Sequence, residues 1–330
     1  MRDRAFVALS VAAAGGIALF YWRRRSSRRS TLTLGDGNQM PVVGFGTFQI
    51  PAADTEQAAA RALAMGYRHI DTAEFYANEE PIGRAIAASG LARSEVFITT
   101  KLDPGNPSWG QAVKSYEDTI AACTESVRRL GVERVDLYLI HTPLSGKAAR
   151  IEQWRALVEC QRRGLCASIG VSNFEINHLE ELKAAGLPAP AANQIELHPL
   201  CQKRALLAYM RERAILPIAY SSLAPLAAWR DGYTALGGSK SADATATPAA
   251  IPQMAARLGV SEARLLLRYA VQKGWAVLPK SVREARMRDN FDLVSFAISP
   301  EDMATLDAMD NDQAFAFGAP GAAFDPSKVA

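Results

Sequence analysis

The sequence predicts an α/β protein, a (β/α)8 TIM barrel with an N-terminal β-hairpin and, ahead of that, an N-terminal apolar anchor segment. Three observations carry this expectation. Short apolar runs alternate with stretches of helical period along most of the chain, the order a barrel requires. Three of those runs end on polar side chains: YRHID on Asp71, VFITTK on Lys101 and VDLYLIH on His141. The length, 330 residues, exceeds the roughly 250 of a typical barrel and leaves room for an appendage. Parallel strands in a barrel present their C-terminal ends on one face, so Asp71, Lys101 and His141 would converge around the Tyr76 phenol. Taken singly, each has an ordinary reading: a solvated rim lysine, a hydrogen-bonded structural histidine, a packing tyrosine.

The appendage comes first. Residues 5–22, AFVALSVAAAGGIALFYW, form an uncharged run of 18. As a helix it reaches about 27 Å, close to the hydrocarbon thickness of a bilayer. Tyr21 and Trp22 would lie at one interface, and Arg23, Arg24, Arg25, Arg28 and Arg29 follow as a stop-transfer, positive-inside signal. The expectation is a single-pass anchor in the lipid bilayer, with the globular domain over residues 31–330 facing the cytosol. A cleaved targeting leader is the alternative, since Arg2 and Arg4 make an n-region, but the dense Arg flank argues against cleavage. Residues 1–30 hold seven Arg and one Asp, so the rest of the chain has 30 basic and 33 acidic residues. That mildly acidic body, with no basic patch interleaved with aromatics, argues against nucleic acid as a partner. Cys123, Cys160, Cys166 and Cys201 show no CxxC and no His at metal-ligand spacing, so neither disulfides nor a metal site is expected.

TLTLGDGNQMPVV turns at Gly35-Asp36-Gly37-Asn38 and reads as the hairpin. GFGTFQ opens strand one. Its Gly44-x-Gly46 mimics a dinucleotide fingerprint, but Gln49 stands where the third glycine belongs, so a Rossmann reading fails. EQAAARALAMG is the first barrel helix. YRHI is strand two, and Asn78-Glu79-Glu80 gives an acidic start to the second helix, EEPIGRAIAAS. VFITTK, SYEDTIAACTESVRRLG, VDLYLIH and IEQWRALVECQRRG then alternate strand and helix. CASIGVSN, AANQIEL, LPIAYSS and WAVLP supply strands five to eight. The Ala/Gly/Ser/Thr-rich stretch 224–248 reads as a long mobile loop followed by a short helix. SPEDMATLDAMD is a final helix opened by a Ser-x-x-Asp cap, and the Ala/Gly/Phe-rich tail is a loop.

Set together, HIDTAEFYANEE, ITTKL, DLYLIH, GVSNF and LPKS resemble the motifs of the aldo-keto reductase family, in its order and approximate spacing over residues 31 to about 310. The resemblance implies an NADPH-dependent reductase of small-molecule aldehydes or ketones with a monomeric catalytic domain and a hairpin closing the bottom of the barrel. It implies Asp71, Tyr76, Lys101 and His141 as the catalytic residues and places Thr47 near the cofactor. Phe48 stands where the family usually has Trp, and Thr142 follows His141 where relatives often carry Trp; both would line the substrate site. Ser172, Asn173 and Gln194 would hydrogen-bond the nicotinamide carboxamide, and Tyr220 would stack on its ring. Read on their own, Asn173 is a loop or capping residue, Gln194 a buried amide and Tyr220 a core tyrosine. Ser221 and Leu223 would touch the pyrophosphate, although Ser221-Ser222-Leu223-Ala224 departs from the family's frequent Ser-Pro-Leu-Gly. Lys280, Ser281 and Arg286 would hold the 2′-phosphate of NADP, and Asp289 with Asn290 would reach the adenine. A helix start with Lys and Arg nearby is a phosphate site on physical grounds too, although such residues are more often merely solvated.

Carbonyl reduction needs a hydride at carbon and a proton at oxygen as negative charge develops there. Tyr76 would be the general acid. A nearby Lys101 ammonium should lower its pKa, with Asp71 holding Lys101 charged and His141 directing the carbonyl oxygen. Two other classes fit the same residues. A catalytically weak regulatory subunit of a membrane protein would keep the cofactor site. A Schiff-base aldolase would use Lys101, although an ion pair with Asp71 keeps that amine protonated.

Overall fold

Apolar runs too short for helices pair side by side in chain order. The computed structural model describes residues 31–226 and 246–316. The expected anchor over residues 5–22 lies outside them, as do residues 227–245 of the expected loop. Among the described residues no helix is long and apolar enough to cross a membrane. Strands β1 (Thr31–Thr33) and β2 (Gln39–Pro41) form the antiparallel hairpin. Eight parallel strands follow, each bonded to the next: β3 (Phe45–Gly46), β4 (His69–Asp71), β5 (Phe97–Leu102), β6 (Val135–Ile140), β7 (Cys166–Ser172), β8 (Ala192–Glu196), β9 (Leu216–Tyr220) and β10 (Ala276–Val277). The sheet curls until its edges meet. Val43 bridges Val277 in parallel, Gly44 N donates to Val277 O at 2.8 Å, and Val277 N donates to Val42 O at 2.9 Å. This is the TIM-like architecture that eight strand–helix pairs require.

The two glycines that mimic a nucleotide fingerprint belong to this seam. A Cβ on Gly46 would lie 2.5 Å from Leu278 O, and one on Gly44 would lie 2.6 Å from Leu278 Cδ2. Only glycine lets the first strand approach the last so closely. The hairpin plugs the barrel floor: Leu34 and Met40 pack with Phe97, Leu137, Leu139 and Ile218, and Gly35 N donates to Ala191 O at 2.9 Å.

Helices α1 (Ala52–Met65), α2 (Glu79–Ala88), α3 (Tyr116–Arg129), α4 (Lys147–Arg162), α5 (Ile176–Ala184) and α6 (Arg204–Glu212) each follow one strand, from β3 to β8. Then α7 (Ala250–Leu258) and α8 (Glu262–Gln272) precede β10, and α9 (Glu284–Phe291) and α10 (Pro300–Asp307) follow it. Their apolar faces and the outer face of the sheet make the main core, with Trp154 fully buried. Helix α4 starts four residues before its apolar pattern does. Arg150 explains this: it is fully buried, donating to Glu181 at 2.9 Å and to Pro143 O at 2.6 Å, so a charged residue supplies an inward turn. The Ser-x-x-Asp cap forms as expected, with Ser299 Oγ accepting from Asp302 N at 3.1 Å. All four cysteines are buried thiols.

Candidate active site

Strand alternation and a shared direction bring three polar side chains to one end of the barrel. Lys101 Nζ donates to Asp71 Oδ1 at 2.6 Å and to Thr72 O at 2.8 Å, and lies 3.4 Å from Tyr76 Oη. Tyr76 Oη is 3.5 Å from His141 Nε2. Lys101 is fully buried, and these acceptors replace its water. A single 3-10 turn, Glu74–Tyr76, delivers the phenol, and Ala77 ends that turn in the left-handed region at φ 53°. Asn78 locks the turn in place. Its Nδ2 donates to Thr47 O at 3.1 Å, its Oδ1 accepts from Thr72 Oγ1 at 2.6 Å, and Thr47 Oγ1 donates to Asp71 O at 2.9 Å.

Electrostatics corrects one expectation. Burial first, and the Asp71 carboxylate second, hold the Tyr76 phenol well above its usual 10, the reverse of a lowering by Lys101. Burial gives the main reason, since it disfavours the phenolate; Lys101 does not offset it, because its short bond goes to Asp71. Burial pulls Lys101 below its usual 10.5, opposed by the Asp71 charge. Burial and then the Lys101 charge push His141 down to about 3. At neutral pH the site therefore holds a protonated phenol beside a neutral imidazole.

Asp71, Tyr76 and His141 line a cavity of about 880 Å³. Thr47, Ser172, Asn173, Gln194, Tyr220, Ser221 and Leu223 line it too, as do Lys280, Ser281, Arg286, Asp289 and Asn290. Phe48 is in the wall, its ring 4.9 Å from that of Tyr76. Thr142 is not: the alternation that turns His141 inward turns its neighbour away, so the expected substrate contact is absent from the cavity lining. Lys101 lies beneath the lining, out of reach of a substrate carbonyl, which removes the geometric basis for a Schiff base. Phe75 is a wall residue the sequence reading missed. It is 56% exposed, with its ring 6.4 Å from that of His141. Its only signal is its place beside Tyr76 in the turn.

The expected nicotinamide residues are wired to one another and to Asp71 and His141. Gln194 Nε2 donates to Asp71 Oδ2 at 2.7 Å, Ser172 Oγ donates to Gln194 O at 2.8 Å, and Asn173 Nδ2 donates to His141 O at 3.0 Å. Tyr220 Oη donates to Asn173 Oδ1 at 2.6 Å. Asn173 and Ser221 adopt left-handed φ of 62° and 52°, a conformation that costs non-glycine residues about 1–2 kcal/mol and concentrates at functional sites. At the other end of the chain order, Lys280 and Arg286 are exposed and form no ion pair among the described residues. Ser281 Oγ accepts from Arg283 N at 3.1 Å where α9 begins. Asp289 accepts a hydrogen bond from Ser261.

A TIM-like barrel with its polar groups gathered at the C-terminal strand ends belongs with the barrel enzymes. The profile of the Aldo/keto reductase family matches residues 42–311, and the chain belongs to that family of NADP-dependent oxidoreductases acting on carbonyl groups. It is 43% identical over 281 residues to an aldo-keto reductase of Mycobacterium sp. (strain JLS), covering 85% of this chain and 93% of the relative. It is 39% identical over 282 residues to methylglyoxal reductase DkgA of Yersinia pestis, covering 84% and 92%. Among solved structures, an aldo-keto reductase of Bombyx mori in complex with NADP superposes with a TM-score of 0.75 at 30% identity, covering 87% and 94%.

Proposed function

We propose that the chain reduces aldehydes or ketones to alcohols with NADPH, and that Tyr76 delivers the proton. One observation carries the assignment: Tyr76 Oη is the group in the cavity that stands within 3.5 Å of both Lys101 Nζ and His141 Nε2. NADPH, when bound, supplies the hydride to the carbonyl carbon. Tyr76 gives its proton to the carbonyl oxygen as negative charge develops there, leaving a phenolate. Lys101, 3.4 Å away, then meets that phenolate as its counter-charge, so its contribution lies in the product of proton transfer rather than in the resting phenol. Asp71 holds the ammonium, and Gln194 holds the second oxygen of Asp71. His141, held neutral by burial and 3.5 Å from Tyr76 Oη, directs the substrate oxygen toward Tyr76.

The residues fit the cofactor. Gln194 Oε1 accepts nothing among the described residues while its Nε2 is engaged, which leaves it to accept an N–H from the carboxamide. Ser172 and Asn173 flank it, and Tyr220 offers its ring. Ser221 and Leu223 serve the pyrophosphate, Lys280, Ser281 and Arg286 the 2′-phosphate, and Asp289 and Asn290 the adenine. The named relative makes methylglyoxal the first substrate to try. NADPH oxidation by the purified full chain, followed across a panel of aldehydes and ketones, tests the reading. Turnover of at least one carbonyl is expected. Tight NADPH binding with no turnover of any would overturn it in favour of a regulatory subunit.

We also propose that residues 5–22 hold the chain in a membrane as a single uncleaved span, with residues 31–330 on the cytosolic side. The uncharged run of 18 and the five Arg that follow it support this.

A further inference from the structure

Strand β8 sends Gln194 to Asp71 and, two residues on, Glu196 to a different task. Glu196 is 1% exposed, and its Oε1 lies 3.1 Å from His198 Nε2. Its oxygens are filled by main chain from the far end of the sequence. Phe315 N donates to Oε1 at 2.7 Å, and Ala316 N donates to Oε2 at 3.0 Å and to Oε1 at 3.3 Å. The segment is led there in steps. Gln202 N donates to Asp310 Oδ1 at 3.0 Å, and Asn311 N and Gln313 N donate to Leu200 O at 3.3 and 2.9 Å. The Phe315 ring then lies 5.6 Å from that of His198. Ala316 lines the same cavity as Tyr76 and Tyr220.

A buried carboxylate is costly unless donors surround it, and backbone N–H groups are strong donors to a charge. Glu196 therefore needs residues 315 and 316 where they are, and they need Glu196. We propose that Glu196, oriented by His198, is a latch that holds residues 311–316 in place, keeps Ala316 in the cavity wall and thereby sets which carbonyl compounds fit. It is a positioning residue. The kinetic side of the proposal rests on the reductase reading; the latch itself does not.

The test uses full-length Glu196→Gln, Glu196→Asp and Ala316→Pro proteins, with hydrogen exchange over residues 311–316 and NADPH oxidation with methylglyoxal and with 2-naphthaldehyde. Glu196→Gln puts an amide donor against two N–H groups. It is expected to lose protection at residues 315 and 316 and to raise KM for naphthaldehyde about tenfold, while kcat for methylglyoxal stays within about threefold. Glu196→Asp keeps the charge and should recover part of both effects. Ala316→Pro removes a donor with Glu196 intact, so it should move the naphthaldehyde KM in the same direction even if Glu196→Gln fails to fold. Unchanged protection in folded Glu196→Gln, or KM rising equally for both aldehydes, overturns the latch. If the wild type reduces neither aldehyde, the reductase reading has failed, and the exchange measurement alone decides the latch.

Discussion

A phenol serves as an acid only while it keeps its proton, and Tyr76 is placed to keep it. Burial and Asp71 raise its pKa well above the usual 10, so the donor form is still present at pH 10. Tyr76 should therefore impose no alkaline limb on carbonyl reduction below pH 10; a limb below that belongs to Lys101, which burial pulls below its usual 10.5. His141 stays neutral down to about pH 3, so it contributes no acid limb above that value. Tyr76→Phe should lower turnover by about 10²–10⁴-fold while NADPH affinity is nearly unchanged. A folded variant keeping more than about a tenth of wild-type turnover would require another proton donor.

Two elements carry predictions of their own. At the start of α9, Arg286→Ala should narrow the preference for NADPH over NADH by about tenfold, read by titrating both cofactors, because a charge-assisted contact to the 2′-phosphate is lost. Equal affinity of the wild type for the two would remove the phosphate role. In β4, burial pushes His69 from its usual 6.5 down to about 4, with Nε2 3.0 Å from Thr99 Oγ1. A depressed histidine favours the folded state while neutral. Its contribution is complete above pH 6.5 and is lost as pH falls toward 4, and His141 adds to it in the same direction. The thermal midpoint should fall across that window, and His69→Gln should flatten the slope. Strand ends were legible because short apolar runs closing on Asp71, Lys101 and His141 need no knowledge of distance. Asn78, Phe75 and Glu196 were not, because each acts through a partner that no local pattern names: Thr47, the cavity, and residues 315 and 316. The sign at Tyr76 was also hidden, since it turns first on how deeply the folded chain buries the phenol and then on the nearby Asp71 charge.

For the whole molecule, carbonate extraction and protease protection test the anchor: the chain should remain with the membrane, and its barrel should be open to protease from the cytosolic side. Release by carbonate, or a mature N-terminus beyond residue 22, would defeat it. The seam between β3 and β10 has a consequence in time. Val43 and Val277 come from opposite ends of the barrel sequence, and each flanking strand is only two residues long. The entropy of bringing such distant segments together opposes the contact until the intervening strands have already paired. Pulse labelling during refolding should find the amides of Gly44 and Val277 protected later than those of β6. Thr47 and Lys280, beside that seam, line the cavity, so a nearly complete barrel still lacks a finished site. Enzyme activity should return only with the slowest refolding phase, and recovery ahead of it would show that the ring can work unclosed.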